Sequence, residues 1–82
     1  MDEMKIEHLK GLLVINVTKH IMKKNNMTHE EAYKDFLTSE TYKILMNSAS
    51  GLYLESDDYL IKAMDIEFND GKESLYSFLS NN

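Results

Sequence analysis

The sequence predicts an all-α fold, a small bundle of four to five helices with short connections that forms a single helical domain over residues 1–82. Apolar residues recur every three or four positions in several stretches, which is the spacing of one helical face. Helix-capping patterns precede three of these stretches. The chain contains no proline and only three glycines, so few positions have to interrupt a helix.

The first helix is predicted over residues 5–24. Successive helical residues are 100° apart, and this spacing places five apolar residues on one stripe: Ile6, Leu9, Leu13, Val17 and Ile21. Asn25 and Asn26 follow the stripe, and asparagine tolerates the left-handed conformation found at many helix ends. The asparagine pair therefore marks the end of this helix.

Two short helices are predicted next. Thr28 and Glu31 have the spacing of a capping box, which indicates a second helix over residues 29–37. Thr38 and Ser39 can cap a third helix over residues 40–49, and Gly51 is its natural stop. The residues expected to face inward are Ala32, Tyr33, Phe36 and Leu37 in the second helix, and Tyr42, Leu45, Met46 and Ala49 in the third.

The last part of the chain begins with residues 52–55. The character of the side chains alternates over this short span, so the segment is expected to cross to the fourth helix in extended form. Ser56 and the two acids after it predict a fourth helix over residues 57–69, closed by Gly71. Residues 72–79 can form a short fifth helix. The expected apolar positions are Leu60, Ile61, Met64 and Phe68 in the fourth helix, and Leu75, Tyr76, Phe78 and Leu79 in the fifth.

A second stripe on the first helix is a candidate interface. Its residues follow one another at spacings of 4, 3 and 4, with apolar neighbours on either side. The candidate interface residues are Gly11, Leu12, Ile15, Thr18 and Met22. A surface helix needs only one apolar stripe, so two stripes indicate either a helix central to the bundle or a helix with one face turned to a partner. Both interpretations stay open, and the second implies a homodimer or a complex with another protein.

A group of aromatic and acidic residues around the start of the fourth helix is a candidate partner-contact patch. It consists of Tyr53, Glu55, Asp57, Asp58 and Tyr59. Tyrosine is favoured at interfaces because it combines a large contact area with a polar tip. The alternative is that the tyrosines are boundary residues with buried rings and solvated hydroxyl groups.

Several kinds of chemistry find no support in the sequence. The chain has no cysteine, which excludes a disulfide framework, a thiolate nucleophile and a cysteine zinc site. The histidines are His8, His20 and His29, and no two have the spacing that places a ligand pair on one helical face. No serine lies in a nucleophile-elbow or phosphate-loop pattern. We therefore expect no catalytic residues, no cofactor and no metal, and a small enzyme is only the third hypothesis.

The charge of the chain bears on its partners. It has 14 acidic residues, 9 lysines and no arginine, and residues 42–82 alone carry a net charge of −4 from 7 acids and 3 lysines. Phosphate contacts dominate nucleic-acid affinity, so we do not expect a nucleic acid as partner. The alternative is a helix-turn-helix regulator built from the second and third helices, but its recognition helix would begin with Glu40, which phosphate repels.

The location of the protein can be predicted from the same features. The longest apolar run covers only residues 12–15, whereas a membrane-spanning helix needs about 20 apolar residues. The chain begins with acids where a signal peptide has a positive region. These features predict a cytoplasmic protein with no membrane contact. A composition rich in Lys, Ile and Asn suggests a bacterial source.

Two stretches, residues 31–45 and 51–60, resemble short uncharacterised one-domain helical proteins of low-GC bacteria. The resemblance covers roughly residues 12–68. Some similar proteins are encoded beside candidate toxin genes, which implies an antitoxin-like or accessory role and provides no catalytic residues. The leading hypothesis is therefore a small cytoplasmic bacterial protein of unknown function that acts as a protein–protein interaction module.

Overall fold

The computed structural model describes residues 2–80. This part of the chain forms five α-helices and two 3₁₀ turns, and it contains no strand. The helices are α1 (Glu3–Asn25), α2 (His29–Leu37), α3 (Glu40–Met46), α4 (Asp57–Asp70) and α5 (Lys72–Ser80). The 3₁₀ turns, Ser48–Ser50 and Leu52–Leu54, connect α3 to α4. The predicted all-α bundle is therefore confirmed.

The helix starts follow from local capping bonds. The Thr28 hydroxyl accepts a bond from the Glu31 amide at 3.2 Å, and the Glu31 carboxylate accepts one from the Thr28 amide at 3.2 Å, so the predicted capping box is present. Ser39 and Ser56 cap α3 and α4, because each hydroxyl accepts a hydrogen bond from the amide three residues later. Helix α1 begins two residues earlier than predicted because Asp2 caps it, accepting from the Lys5 amide at 2.9 Å.

The helix ends match the sequence prediction at two places. Asn26 has a positive φ of 53° and follows the last residue of α1, as the asparagine pair indicates. Gly71 separates α4 from α5 with a φ of 91°, a conformation that other residues rarely adopt. Short connections therefore turn the chain sharply after both helices.

The connection between α3 and α4 differs from the prediction. Helix α3 ends at Met46 instead of residue 49, because the Asn47 side chain accepts a hydrogen bond from the Ala49 amide at 3.1 Å and caps a 3₁₀ turn. The Ser50 hydroxyl donates to the Ile44 carbonyl at 2.7 Å and satisfies the end of α3. Residues 52–54 form a second 3₁₀ turn, so the expected extended crossing is wrong.

Helix α1 is the central element, and α2, α4 and the second 3₁₀ turn all pack against it. Three residues of the predicted main stripe, Leu13, Val17 and Ile21, are buried in the core. The rest of the core cluster consists of Ala32, Phe36, Leu45, Leu52, Leu60 and Met64. The predicted stripe therefore identifies the face that holds the bundle together.

Four residues that were expected to face inward are exposed. Tyr33, Phe68 and Tyr76 expose 41%, 63% and 40% of their surface, and Ala49 is also exposed. Helix α2 packs mainly on α1 and α3, whereas α4 packs on α1, α3 and α5. The cleft that remains between α2 and α4 leaves Phe68 uncovered. Ala49 is exposed because α3 has already ended before it.

Helix α3 is held at its N-terminus by a side chain from α4. One Glu67 carboxylate oxygen accepts from the Glu40 amide at 2.8 Å, and the other accepts from the Thr41 amide at 2.8 Å and the Thr41 hydroxyl at 2.7 Å. These amides belong to the first turn of α3, where helix N–H groups have no partner within the helix. A negative charge there also complements the helix dipole.

The C-terminus of α3 is held by a lysine from α1. The Lys10 ammonium group donates to the Met46 carbonyl at 3.0 Å and to the Ser48 hydroxyl at 2.8 Å, and it lies 3.4 Å from the Glu7 carboxylate. Lys10 is only 4% exposed. A buried charge is tolerated when it is paired and fully hydrogen-bonded, and this lysine supplies a cation where the helix dipole favours one.

Candidate functional site

The outer face of α1 is the first candidate site. Ile15 and Leu12 expose 51% and 44% of their surface, and Met4 exposes 85%. A Cβ atom built on Gly11 meets no atom within 4 Å, so the backbone there lies open. We call these four residues, Met4, Gly11, Leu12 and Ile15, the outer face of α1. Three of the five predicted interface residues belong to it.

The other two predicted interface residues lie differently. Thr18 is 1% exposed, so its assignment to an accessible interface is wrong. It follows Val14 by one helical turn, and Val14 packs against the core. Met22 is half-buried and also packs against the core cluster. The second stripe is therefore divided: its N-terminal half faces outward, and its C-terminal half is covered by the chain itself.

The acidic–aromatic patch at the start of α4 is partly open. Glu55, Asp57 and Asp58 are exposed. Tyr53 and Tyr59 are half-buried, and the Tyr59 ring lies 5.0 Å from that of Phe78. The tyrosines thus have the boundary position that was the alternative expectation, whereas the three carboxylates form the accessible part of the patch.

A hydrogen bond connects the acidic–aromatic patch to a neighbour of the outer face of α1. The Asn16 side-chain amide donates to the Asp57 carboxylate at 2.8 Å. Asn16 directly follows Ile15 of the outer face, and Asp57 belongs to the patch. The structure therefore places an apolar surface and an acidic surface side by side, which the linear sequence does not show.

A cleft between α2 and α4 is the second candidate site, and α1 forms its floor. It has an inner cavity of about 50 Å³ and an outer groove of about 310 Å³. The two spaces share Asp35, Met64 and Phe68. The inner cavity is also lined by His20, Ile21, Lys24, Asn25, Asp65 and Asn69. The four-residue spacing of His20 and Lys24, which places both on one helical face, is only a weak sign of this site.

The charged groups of the cleft are unevenly paired. One oxygen of Asp65, Oδ1, lies 2.9 Å from the Lys24 ammonium and 3.6 Å from His20 Nε2. The His20 Nε2 atom is buried and makes no hydrogen bond with the described residues. The Asp35 carboxylate has neither a hydrogen bond nor an ion pair with residues 2–80. The inner cavity thus has one more carboxylate, Asp35 and Asp65, than lysine, Lys24.

Two ionisable groups outside the cleft have shifted pKa values. The pKa of the Glu31 carboxyl is lowered, chiefly because it accepts a hydrogen bond from the Thr28 backbone and also from the Thr28 hydroxyl. The pKa of the Tyr76 hydroxyl is raised, chiefly because it donates a hydrogen bond of 2.7 Å to the Glu40 carboxylate. Both shifts are explained by structural bonds, the second of which ties α5 to α3.

The α2–α3 hairpin has the connectivity of a helix-turn-helix, but its geometry does not favour base contact. A recognition helix presents its N-terminal residues to the base edges. Here the first amides of α3 are bonded to Glu67, and Thr41 is fully buried. Helix α3 is also only seven residues long.

Within residues 2–80, no group of three or more His, Cys, Asp or Glu side chains is arranged to hold a metal ion. Over the same residues, none of the helices combines the length and apolar character that crossing a membrane requires. Comparisons with protein-family models, curated proteins and solved structures found no match to this chain.

Proposed function

We propose that the protein acts by protein–protein contact, that the contact surface is the outer face of α1, and that the partner is a second copy of the chain. The observation that carries this proposal is the exposure of Leu12 and Ile15 on a helix whose opposite face already forms the core. Neighbouring exposed apolar side chains are typical of interaction sites. The open backbone at Gly11 would let another helix approach closely.

The charge distribution supports a second copy. Lys5, Lys19 and Lys23 are exposed on α1, whereas the acidic patch contributes three exposed carboxylates. In a dimer about a two-fold axis, each copy could present its lysines to the acidic patch of the other. A stable interface buries about 800 Å² per partner, more than a few apolar side chains provide. The proposed interface therefore includes the patch, which the Asn16–Asp57 bond joins to the outer face.

The cellular role is the less specific part of the proposal. The resemblance to short proteins encoded beside candidate toxin genes supports an antitoxin-like or accessory role in a bacterial cytoplasm. In that setting the same surface could bind a different protein with a basic face, because the patch is acidic. Neither the α2–α3 hairpin nor the net charge of −5 favours the alternative of a transcriptional regulator.

The test is the substitution Ile15→Glu, followed by sedimentation and by size-exclusion chromatography with light scattering. Because Ile15 is half exposed, we expect a folded monomer whose melting temperature is close to that of the wild type. The matched control is Tyr33→Glu, which changes an exposed aromatic residue on α2 and should remain dimeric. A wild-type protein that is monomeric at about 1 mM would refute the second-copy proposal.

A further inference from the structure

We propose that the cleft between α2 and α4 binds a primary ammonium group carried on an alkyl stem. This site is distinct from the outer face of α1, so it goes beyond the proposed function. The ligand is defined by its chemistry, and two sources can supply it: a free alkylamine or a lysine side chain of another protein.

The charge count of the cleft is the first argument. Asp65 is paired with Lys24 at 2.9 Å, whereas Asp35 has no partner among the described residues. Among Lys24, Asp35 and Asp65, the inner cavity has one more carboxylate than ammonium group. A carboxylate lining a cavity with no partner in the fold contributes little to stability, but it can bind a cation by a charge-assisted hydrogen bond.

The size and arrangement of the inner cavity are the second argument. A cavity of about 50 Å³ has room for a few groups of the size of a water molecule, which suits an ammonium group and its first methylene. Two carboxylate residues line it from different helices, Asp35 from α2 and Asp65 from α4. An ammonium group directs three donors to different sides, whereas the donors of a guanidinium group lie in one plane.

The outer groove suits the stem of the same ligand. It has a volume of about 310 Å³ and continues from the inner cavity past Met64 and Phe68. Phe68 exposes 63% of its surface there. A chain of methylenes leaving the cavity would cover this ring, which is exposed although the spacing of the apolar residues predicts burial.

The experiment is an NMR titration of ¹⁵N-labelled protein at constant ionic strength. The probe is n-butylammonium chloride, and the controls are n-butanol, which lacks the charge, and tetramethylammonium, which lacks the donors. We expect n-butylammonium to bind at the cleft, with the largest shifts near Asp35 and Asp65, and to bind at least about tenfold more tightly than either control, a factor of about 1.4 kcal/mol. Equal binding of either control would overturn the proposal.

The second measurement uses Asp35→Asn. Because the Asp35 carboxylate has no partner among residues 2–80, the variant should melt at the wild-type temperature and bind n-butylammonium about tenfold more weakly. The matched control Glu30→Gln removes an exposed charge from the same helix and should bind as the wild type does. An unchanged affinity in Asp35→Asn would overturn the proposal, and the comparison of probes on the wild type remains decisive if that variant does not fold.

Two peptides distinguish the sources of the ammonium group. They are acetyl-Gly-Lys-Gly-amide and the same peptide with an acetylated lysine. Tighter binding of the free lysine peptide than of n-butylammonium supports a lysine of a partner protein, whereas tighter binding of n-butylammonium supports a free amine. Equal binding of the acetylated peptide would overturn the role of the charge.

Discussion

Replacing Glu67 tests whether one carboxylate from α4 maintains the start of α3. The two oxygens of Glu67 accept three hydrogen bonds, all of 2.7–2.8 Å, from Glu40 and Thr41. In Glu67→Ala two backbone amides of the first turn lose their partner. Thr41 is fully buried, so the loss of an acceptor there costs more than at an exposed helix start, where solvent replaces it.

The expected cost follows from these bonds. A hydrogen bond to a charged group contributes about 1.5–3 kcal/mol, and bonds that share one carboxylate are not additive. Because Glu67 is half-buried, we expect Glu67→Ala to lower the free energy of unfolding by about 2–4 kcal/mol. A domain of this size has a total of about 4–12 kcal/mol. Glu67→Gln keeps one acceptor oxygen and should cost about half as much.

Urea unfolding followed by circular dichroism at 222 nm suits this helical chain, which has no tryptophan. The matched control is Glu73→Gln, an exposed carboxylate in the first turn of α5, which should change the stability by less than about 0.5 kcal/mol. A double-mutant cycle with Thr41→Val isolates the 2.7 Å bond from the Thr41 hydroxyl. A cost for Glu67→Ala below about 0.5 kcal/mol would refute the reasoning.

Two further predictions concern individual side chains. Thr28→Ala removes the capping box of α2 and should cost about 1 kcal/mol in thermal unfolding, whereas an unchanged melting temperature would contradict the cap. The raised pKa of Tyr76 means that its bond to Glu40 stabilises the fold below the ordinary tyrosine pKa, and that this contribution is lost as the pH rises through the folded value. Urea titrations from pH 8 to 11 should show that loss in the wild type and its absence in Tyr76→Phe.

The features predicted from the sequence are those that depend on neighbouring residues. The capping box at Thr28, the N-cap at Ser56 and the turn at Gly71 are bonds or conformations within four residues, so their spacing is visible in the sequence. The early end of α3 is also local, since Asn47 bonds the amide two residues later. Asparagine side chains compete with the helix for backbone hydrogen bonds in this manner, so Asn47 is itself a sign in the sequence that α3 ends before it.

The features missed from the sequence depend on tertiary contacts. Lys10 and Glu67 bind α3 from 36 and 26 residues away, and nothing in their own neighbourhoods distinguishes them from other charged residues. Apolar periodicity shows which face of a helix is apolar, but it does not show which neighbour covers each turn. For that reason the spacing predicts burial equally for Leu60, which is buried, and for Phe68, which is exposed. The cleft beside Phe68 has no local signature.

The two proposed sites lie on opposite sides of α1, and this arrangement makes them separable. At 100° per residue, Ile15 is about 140° from His20 and about 180° from Lys24, both of which line the inner cavity. If α1 behaves as a rigid element, Ile15→Glu should abolish dimer formation without changing the affinity for n-butylammonium. Asp35→Asn should weaken the binding of n-butylammonium without changing dimer formation. Coupling between the two sites would require α1 to shift between two arrangements, because a ligand changes an equilibrium only through different affinities for its two states. The core residue Val17 lies between the two sites along α1 and is fully buried, which leaves little room for such a shift.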